Sequence, residues 1–373
     1  MPVLTMKKNS KIIISGGGTG GHIFPAIAIA REIKARHPDA NILFVGSHGR
    51  MEMEKVPQAG FNIVGLPVEG FQRRLTLRNL LVMFNLFRSL RRARCIIKSF
   101  QPDAVVGVGG YASGPVIRIA TQYKIPALIQ EQNSYAGITN RILGKRADRI
   151  CVAYEGMEKY FPASKIVLTG NPVREDVIRV ESKQNEAREF FGLKDEKPVI
   201  LILGGSLGAK TLNESIFRNM GLIENSAIRI IWQTGSLYYN DIQHKIRDMS
   251  LENIIYMDFI NRMDLAYAVA DIIVSRAGAG TISELCLVGK PIILVPSPNV
   301  AEDHQTKNAM ALVKKGAAIL VRDADAYTQL IPVAFDLIRN IGLRKSLADN
   351  CQGMALNNAA ARIVDELSSI IME

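Results

Sequence analysis

The sequence of 373 residues contains little cysteine and no cysteine motif. Cys95, Cys151, Cys286 and Cys351 are far apart and show neither the spacing of a metal site nor that of a redox pair. We therefore expect reduced thiols, a reducing compartment and no metal bound through cysteine.

Long hydrophobic runs are also missing. No stretch reaches the roughly 18 uninterrupted apolar residues that predict a membrane-spanning helix. The first residues, MPVLTMKKNSKIIIS, lack the apolar core and the small-residue cleavage site of a signal peptide. If the protein works at a membrane, we expect it to work from the surface.

Acidic residues are outnumbered by basic ones, 35 against 46, which gives a net charge of +11. This balance favours anionic partners, but it does not choose among nucleic acid, phosphorylated substrates and an anionic membrane. An apolar content of 48% with 22% charged residues is typical of globular proteins and excludes disordered and fibrous classes. The length suits two domains of ordinary size.

Short β-branched runs, each followed by a turn and a helical stretch, recur along the whole chain. Continuous apolar runs that alternate with helices predict buried parallel strands in βα units. The predicted strands are 11–15, 41–46, 104–108, 127–130 and 165–169 in the first half, and 198–203, 228–232, 253–257, 271–275, 291–295 and 317–321 in the second. We therefore predict two doubly wound, Rossmann-like parallel-sheet domains.

The two halves begin alike. Segments 11–30 and 199–216 both consist of a strand, a glycine loop and a helix, which predicts two related domains with a cleft between them. Glycine, asparagine and proline in 169–174 indicate a hinge. From about residue 353, apolar residues at helical spacing predict a terminal amphipathic helix, and the pattern leaves its domain open.

The first glycine loop, Gly16-x-Gly18-x-x-Gly21, formally matches a dinucleotide-binding fingerprint. Glycine lets the backbone approach a phosphate, and the following helix offers N–H groups. An NAD site also needs an acidic residue at the end of the second strand, where this chain has 45–48, VGSH. The missing acid disfavours an NAD-dependent oxidoreductase, which stays an alternative, and a tight turn without a ligand also stays open.

Two further glycine loops follow predicted strands. Segment 204–211, GGSLGAKT, nearly matches a phosphate-binding P-loop, but Ala209 stands where the last glycine should be, which disfavours ATP or GTP hydrolysis. The third loop is 107–114, GVGGYASG. Three such loops at strand ends predict a ligand rich in phosphate, or two such ligands.

A family resemblance rests on several segments taken together. They are GGGTGGHIFPAIAIA (16–30), GVGGYASGP (107–115), EQN (131–133), GNPVR (170–174), GGSLGA (204–209), SRAGAGTISE (275–284) and DHQTKNA (303–309). In this order they resemble the MurG family, the bacterial UDP-N-acetylglucosamine transferases that convert lipid I to lipid II in peptidoglycan synthesis. The resemblance covers nearly the whole chain.

The resemblance implies a GT-B fold whose last helix returns to the N-terminal domain. The acceptor-binding and membrane-associating domain would then be 1–172 plus 353–373, and the UDP-GlcNAc-binding domain 173–352. It also implies inverting transfer to the 4-hydroxyl of the muramoyl sugar without a metal or other cofactor. The Asp323-Ala324-Asp325 segment is interpreted as a turn rather than a metal site.

Two residues have competing interpretations. His22 begins a helix whose dipole favours neutral imidazole, and the resemblance makes it the candidate catalytic base, although a capping or packing role is also open. Glu284 would accept both ribose hydroxyls by resemblance, but the segment from Thr281 to Glu284 also matches a helix capping box.

The resemblance implies roles for other residues as well. On the donor side they are Thr19, Gly20, Gly21, Asn133, Arg174, Ser206, Ile260, Ala279, Gly280, Thr281, Gln305 and Asn308. On the acceptor side they are Gly18, Gly109, Gly110 and Tyr111, with Glu131 as a weaker catalytic candidate. The chain departs from the resemblance at 304–308, because some members have a longer Gln-Gln segment where this chain has His304-Gln305-Thr306.

Segment 77–98 combines an apolar stretch with a basic end. One interpretation is a buried helix with a solvated end, and the other is an apolar patch that enters an anionic membrane surface. The candidate membrane residues are Leu77, Leu81, Phe84, Phe87, Arg88, Arg91 and Arg92.

The family's peripheral attachment favours the second interpretation, at the cytoplasmic face of the bacterial membrane. The expected partners are UDP-GlcNAc, lipid I, anionic lipid and cell-wall or division proteins, without nucleic acid. A non-catalytic protein that binds a UDP-sugar or a lipid surface is a further alternative.

Overall fold

The computed structural model describes residues 6–68, 78–173, 180–249 and 251–372. The chain divides into two compact units. The first consists of Met1–Val173 with Leu356–Glu373, and the second is Arg174–Ala355. Each unit is built around its own parallel sheet.

The first unit alternates strands and helices. Its strands are β1 (Lys11–Gly16), β2 (Asn41–Ser47), β3 (Asn62–Leu66), β4 (Ala104–Gly109), β5 (Ala127–Glu131), β6 (Arg149–Val152) and β7 (Ile166–Leu168). Its helices before the hinge are α1 (Gly20–Arg36), α2 (Glu52–Gln58), α3 (Arg78–Phe100), α4 (Ser113–Gln122) and α5 (Ile138–Gly144). The seven strands pair in the order β3-β2-β1-β4-β5-β6-β7.

The sheet of the first unit is covered on both faces. Ile12 and Ile14 of β1 lie in one hydrophobic cluster, and Ile13 lies in another. Successive side chains of a strand point to opposite faces, so a strand buried on both faces needs apolar residues throughout. This explains the consecutive apolar residues 12–14 of β1 and 104–106 of β4.

The second unit repeats this architecture with six strands. They are β8 (Val199–Leu203), β9 (Arg229–Gln233), β10 (Ile254–Met257), β11 (Ile272–Ser275), β12 (Ile292–Leu294) and β13 (Ile319–Leu320), in the order β10-β9-β8-β11-β12-β13. The helices are α6 (Gln184–Phe190), α7 (Lys210–Arg218), α8 (Met220–Glu224), α9 (Tyr239–Ile246), α10 (Met263–Val269), α11 (Ala279–Val288), α12 (His304–Val313), α13 (Ala326–Arg339) and α14 (Ile341–Gly353).

The terminal helix α15 (Ala359–Met372) belongs to the first unit, although it follows the second in the chain. Ile363, Val364 and Leu367 enter the same hydrophobic cluster as Ile12. Each such buried side chain contributes about 1.5–3 kcal/mol. An ion pair between Arg36 and Asp365, at 2.5 Å, also joins α15 to α1.

Each sheet changes winding direction beside its first strand. The order places β1 between β2 and β4, and β8 between β9 and β11. The connections on the two sides of such a point diverge and leave a crevice at the carboxyl ends of the strands. The loop after β1 therefore lies beside the loop after β4, and the loop after β8 beside the loop after β11.

The prediction of two doubly wound parallel sheets is confirmed. Each strand predicted from an apolar run is present, with bounds that shift by one or two residues. Strands β3 and β6 were not predicted.

Candidate active site

The glycine loops after β1 and β4 are packed tightly against each other. Gly16 and Gly109 are register partners, and a Cβ atom at Gly110 would overlap the carbonyl oxygen of Gly17. Gly110 also has a φ of +80°, which favours glycine. Two of the predicted acceptor-side glycines, Gly109 and Gly110, are therefore required for the approach of the two loops.

His22 lies in the first turn of α1 and bonds back to this loop. Its Nδ1 is 3.1 Å from the carbonyl oxygen of Gly17 and 3.2 Å from Oγ1 of Thr19. A carbonyl oxygen can only accept a hydrogen bond, whereas the Thr19 hydroxyl can accept or donate, so the contact with Gly17 assigns the proton of the neutral ring to Nδ1 and the lone pair to Nε2. This tautomer is the one that a base acting through Nε2 requires.

The ring of His22 packs against Gly109. A Cβ atom at Gly109 would lie 2.9 Å from Nε2 and 2.7 Å from Cδ2 of the imidazole. Gly109 has a φ of +99°, so both its backbone and its neighbour require glycine. The third glycine loop therefore provides the space for the imidazole.

Glu131 is buried at the end of β5, and both its carboxylate oxygens are engaged. Oε2 accepts from Nδ2 of Asn140 at 2.8 Å and from the Gly137 N–H at 3.2 Å, and Oε1 accepts from the Asn133 N–H at 3.1 Å. Burial raises the pKa of this carboxyl. These contacts organise the turn between β5 and α5, which also carries Asn133.

A second, unpredicted glutamate contacts the first glycine loop. Glu52, the first residue of α2, is fully buried, and its Oε2 accepts from the Gly18 N–H at 3.0 Å. Its Oε1 accepts from the Ser47 N–H at 2.8 Å. The acidic residue missing from the end of β2 is thus replaced by one that binds the glycine loop itself.

In the second unit, the loop after β8 packs against the loop after β9. Gly208 and Gly235 both have positive φ values, and a Cβ atom on either would overlap backbone atoms of the other loop. Ser206 is exposed at the tip, where its carbonyl oxygen accepts from the Ser236 N–H at 3.0 Å. The tip therefore presents Ser206 to solvent on a rigid support.

The helix that carries Glu284 begins earlier than its sequence suggests. Helix α11 starts at Ala279, and its cap position is Gly278. Thr281 is therefore the third residue of the helix and not its cap, so the capping-box interpretation is wrong. Glu284 lies in the second turn of the helix and is half-buried.

The first turn of α11 is suited to an anion. Gly278 has no side chain to accept from the first-turn N–H groups, and this turn contains no acidic residue. The helix dipole adds partial positive charge at this end. Ala279, Gly280 and Thr281, which were predicted to contact the donor, form this turn.

Gln305 and Ile260 use backbone or amide groups within the second unit. Oε1 of Gln305 accepts from the N–H groups of Ala277 at 3.2 Å and Ser297 at 2.8 Å, which ties two strand-end loops to α12. The Ile260 N–H donates to Oε1 of Gln233 at 3.1 Å. A nucleobase that accepts a hydrogen bond from the Ile260 N–H would therefore require the Gln233 side chain to turn away.

The entry to α12 is strained. Glu302 and Asp303 both have left-handed backbone conformations, with φ of 55° and 52°. Such strain is uncommon outside glycine and concentrates at functional sites. It precedes Gln305 and Asn308, and Asn308 is fully buried in this arrangement.

The Asp323-Ala324-Asp325 segment forms a single 3₁₀ turn. Asp323 accepts from Nη1 of Arg276 at 2.5 Å and from Oγ1 of Thr211 at 3.0 Å. Within the part of the chain that the structure describes, no group of three or more His, Cys, Asp and Glu side chains could hold a metal ion.

Two aromatic side chains in the first half of α3 are exposed, whereas Ala93 and Ile97 further along the helix are buried. Phe84 is 59% exposed and Phe87 is 67% exposed, so the buried-helix interpretation is wrong for this half of the helix. The guanidinium of Arg88 lies 5.8 Å from the centre of the Phe84 ring, and Arg91 and Arg92 are exposed beyond it.

Some predicted site residues are not covered. Leu77 and Arg174 lie outside the described residues, as does the side chain of Leu81. Among the acceptor-side residues, Tyr111 is exposed.

None of the helices formed by the described residues has the length and apolar character to span a bilayer.

Known proteins resemble both units of this chain. The glycosyltransferase family 28 N-terminal domain matches residues 12–152, and the glycosyltransferase family 28 C-terminal domain matches residues 199–363. A UDP-N-acetylglucosamine–N-acetylmuramyl-(pentapeptide) pyrophosphoryl-undecaprenol N-acetylglucosamine transferase of Parabacteroides distasonis is 56% identical over 361 residues, which are 97% of this chain and 98% of that protein. The chain belongs to the MurG family.

Two other members of the MurG family extend this result. A protein of the same name from Bacteroides fragilis is 52% identical over 365 residues, covering 97% of this chain and 96% of that protein. The crystal structure of Acinetobacter baumannii MurG aligns with a TM-score of 0.78 and 30% identity, covering 96% of this chain and 99% of that one. The match therefore includes both sheets and the segments that carry the site.

Two residues that contact the candidate site, Glu52 and Gln233, were not predicted from the sequence. Glu52 has a sequence signal, because it opens the first helix after the strand whose end lacks the expected acid. Gln233 is the last residue of β9, and only the folded backbone places it against Ile260.

We predict that Glu284→Ala raises the KM for the nucleotide-sugar donor. Loss of hydrogen bonds to a charged group costs about 1.5–3 kcal/mol, which corresponds to roughly a 10- to 100-fold increase. Steady-state kinetics and a thermal melt of the variant measure this. Glu214→Ala is the matched control, because Glu214 is also a half-buried helical glutamate of the second unit. A lower melting temperature with an unchanged KM would contradict the donor role.

Proposed function

We infer that this chain is a glycosyltransferase that moves N-acetylglucosamine from UDP-GlcNAc to lipid I and so forms lipid II. The observation that carries this inference is the 56% identity, over nearly the full length of both chains, to a protein named for this transfer. The His22 tautomer supports it independently, because the transfer needs a base for the acceptor hydroxyl.

The proposed reaction is a direct displacement with inversion. Nε2 of His22 takes the proton of the 4-hydroxyl of the muramoyl sugar while the hydroxyl oxygen attacks the anomeric carbon of N-acetylglucosamine. The new glycosidic bond forms as the bond from the anomeric carbon to the UDP oxygen breaks. UDP leaves with the bonding electron pair, and the proton stays on the imidazole until solvent removes it.

The leaving diphosphate needs positive potential. We propose that the first turn of α11 supplies it through its dipole and N–H groups, so that the reaction requires no metal ion or other cofactor. The loop that exposes Ser206 is the second candidate support for the diphosphate. In this proposal Glu284 holds the ribose, and Ile260 contacts the uracil through its backbone.

The NAD-dependent alternative has lost its main support. A dinucleotide would use the N–H groups of the first glycine loop for its pyrophosphate, but Glu52 already accepts from the Gly18 N–H. The carboxylate also fills the space in front of Gly17, where a Cβ atom would overlap Oε1. A buried acid in this place opposes the binding of a phosphate.

The exposed face of α3 supports a membrane partner. Phe84 and Phe87 extend into solvent beside Arg88, Arg91 and Arg92. Aromatic anchors with several adjacent cations suit an anionic lipid surface, where each basic residue contributes about 1 kcal/mol. We propose that the enzyme binds the cytoplasmic face of the membrane through this helix, where its lipid-linked acceptor is also held.

The transfer is tested by UDP release from UDP-GlcNAc with a soluble lipid I analogue. His22→Ala should lower kcat by roughly 100- to 10,000-fold, the usual contribution of a general base, with little change in donor KM. A protein that binds UDP-GlcNAc but releases no UDP would be an idle binding module. Wild-type kcat in the variant would remove His22 from the chemistry.

Membrane binding is tested by sedimentation with anionic and neutral vesicles. Serine in place of both Phe84 and Phe87 should lower the partition coefficient on anionic vesicles by roughly 10- to 100-fold, because the apolar anchors are lost. The control replaces Phe190 and Leu222, two exposed apolar residues of the second unit, with serine. Equal binding by wild type and the α3 variant would contradict the proposal.

A further inference from the structure

Glu52 and His22 are bonded to the two ends of one peptide group. The carbonyl oxygen of Gly17 accepts from Nδ1 of His22 at 3.1 Å, and the N–H of Gly18 donates to Oε2 of Glu52 at 3.0 Å. These two backbone groups belong to the same peptide bond. Because that bond is planar and trans, its N–H and its carbonyl point in opposite directions.

We propose that Glu52 is a positioning residue that sets the tautomer and orientation of the catalytic imidazole through the Gly17–Gly18 peptide. The proposal rests on the function inferred above. Glu52 itself is fully buried, and in this proposal it does not contact the substrate. Its carboxylate holds the N–H end of the peptide, which aims the carbonyl end at Nδ1 of His22.

The peptide needs such an anchor because glycine flanks it on both sides. Gly18 has a φ of +85°, and a Cβ atom added there would meet open space, so neither sterics nor packing on that side fixes the peptide plane. Without the bond to Glu52, the contact of the Gly17 backbone with Gly110 and the bond to His22 would have to resist rotation of the plane, which turns the Gly17 carbonyl away from His22. The imidazole could then adopt the other tautomer, which places the proton on Nε2.

The local sequence is shaped to admit this carboxylate. A Cβ atom at Gly17 would overlap Oε1 of Glu52, and one at Gly46 would lie 2.6 Å from its Cγ. The second oxygen is fixed by the Ser47 N–H at 2.8 Å. Two glycines and the Ser47 amide thus surround the buried side chain of Glu52. A role in stability alone would not require its carboxylate to contact the first glycine loop.

The hydrogen bonds from Glu52 through the Gly17–Gly18 peptide to His22 also strengthen one another. A carboxylate that accepts from an N–H polarises the peptide and strengthens its carbonyl as an acceptor. That carbonyl in turn holds the Nδ1 proton more firmly and leaves electron density on Nε2. The arrangement resembles a carboxylate that orients a histidine directly, but with one peptide group between them.

The test is Glu52→Gln in wild-type and His22→Ala backgrounds. Glutamine has one acceptor oxygen for two backbone N–H groups, so one of them faces an NH₂ group instead. We expect kcat to fall roughly 10- to 100-fold with donor KM unchanged, because the base is misplaced while the donor site is intact. In the His22→Ala background the same substitution should have no further effect on kcat.

Asp103→Asn is the control for the change from carboxylate to amide at an exposed backbone N–H partner. Asp103 accepts from the Lys11 N–H at 2.7 Å, at the opposite end of β1 from the glycine loop. This carboxylate-to-amide change should leave kcat unchanged in both backgrounds. Thermal melts of all variants establish that the activity measurements are made on folded protein.

The outcomes separate the proposal from its rivals. An unchanged kcat in Glu52→Gln, or an equal fractional loss in both backgrounds, would overturn it, since Glu52 would then act on stability or not at all. If Glu52→Gln does not fold, Glu52→Asp replaces it, with the oxygens withdrawn by one methylene, and loss of fold in both would also overturn it. A wild-type chain without transferase activity would instead overturn the proposed function.

Discussion

The hydrogen bond from Nδ1 of His22 to the Gly17 carbonyl is the interaction on which the catalytic account depends. It fixes which imidazole nitrogen holds the lone pair, and so decides whether the residue can act as a base through Nε2. Several other features serve this bond: Gly109 makes room for the ring, Gly110 lets the loops meet, and Glu52 holds the far end of the peptide. The geometry of the site therefore depends on backbone contacts as much as on side chains.

Sheet topology explains why short, separated segments can form such a site. In each unit the winding direction changes beside the first strand, and the loops that leave β1 and β4, or β8 and β11, meet at the same edge. The first unit uses this edge for His22, and the second uses it for the first turn of α11. In the proposed mechanism, one architecture thus supplies the base in one unit and the helix end that holds the diphosphate in the other.

Much of the fold could be predicted, because strands buried on both faces must be apolar throughout. Strand β6 was missed because RICV is short and starts with arginine, and β3 (NIVGL) was missed although its composition resembles that of predicted strands. Part of the site was harder to predict. The start of α11 at Ala279 depends on backbone geometry, whereas the sequence has a capping pattern that begins at Thr281. Glu52 was missed, although it opens the helix after β2, because its partners are backbone N–H groups of two other segments and the sequence does not show which backbone groups a side chain contacts.

The tautomer of His22 is the most direct test of this account. Nitrogen-15 NMR of protein labelled at its five histidines, with a His22→Gln spectrum to assign the signal, distinguishes a protonated ring nitrogen from one with a lone pair. In the neutral ring we expect Nδ1 to carry the proton and Nε2 to be unprotonated. A proton on Nε2 with an unprotonated Nδ1 would contradict the bond to Gly17 and the role of His22 as the base.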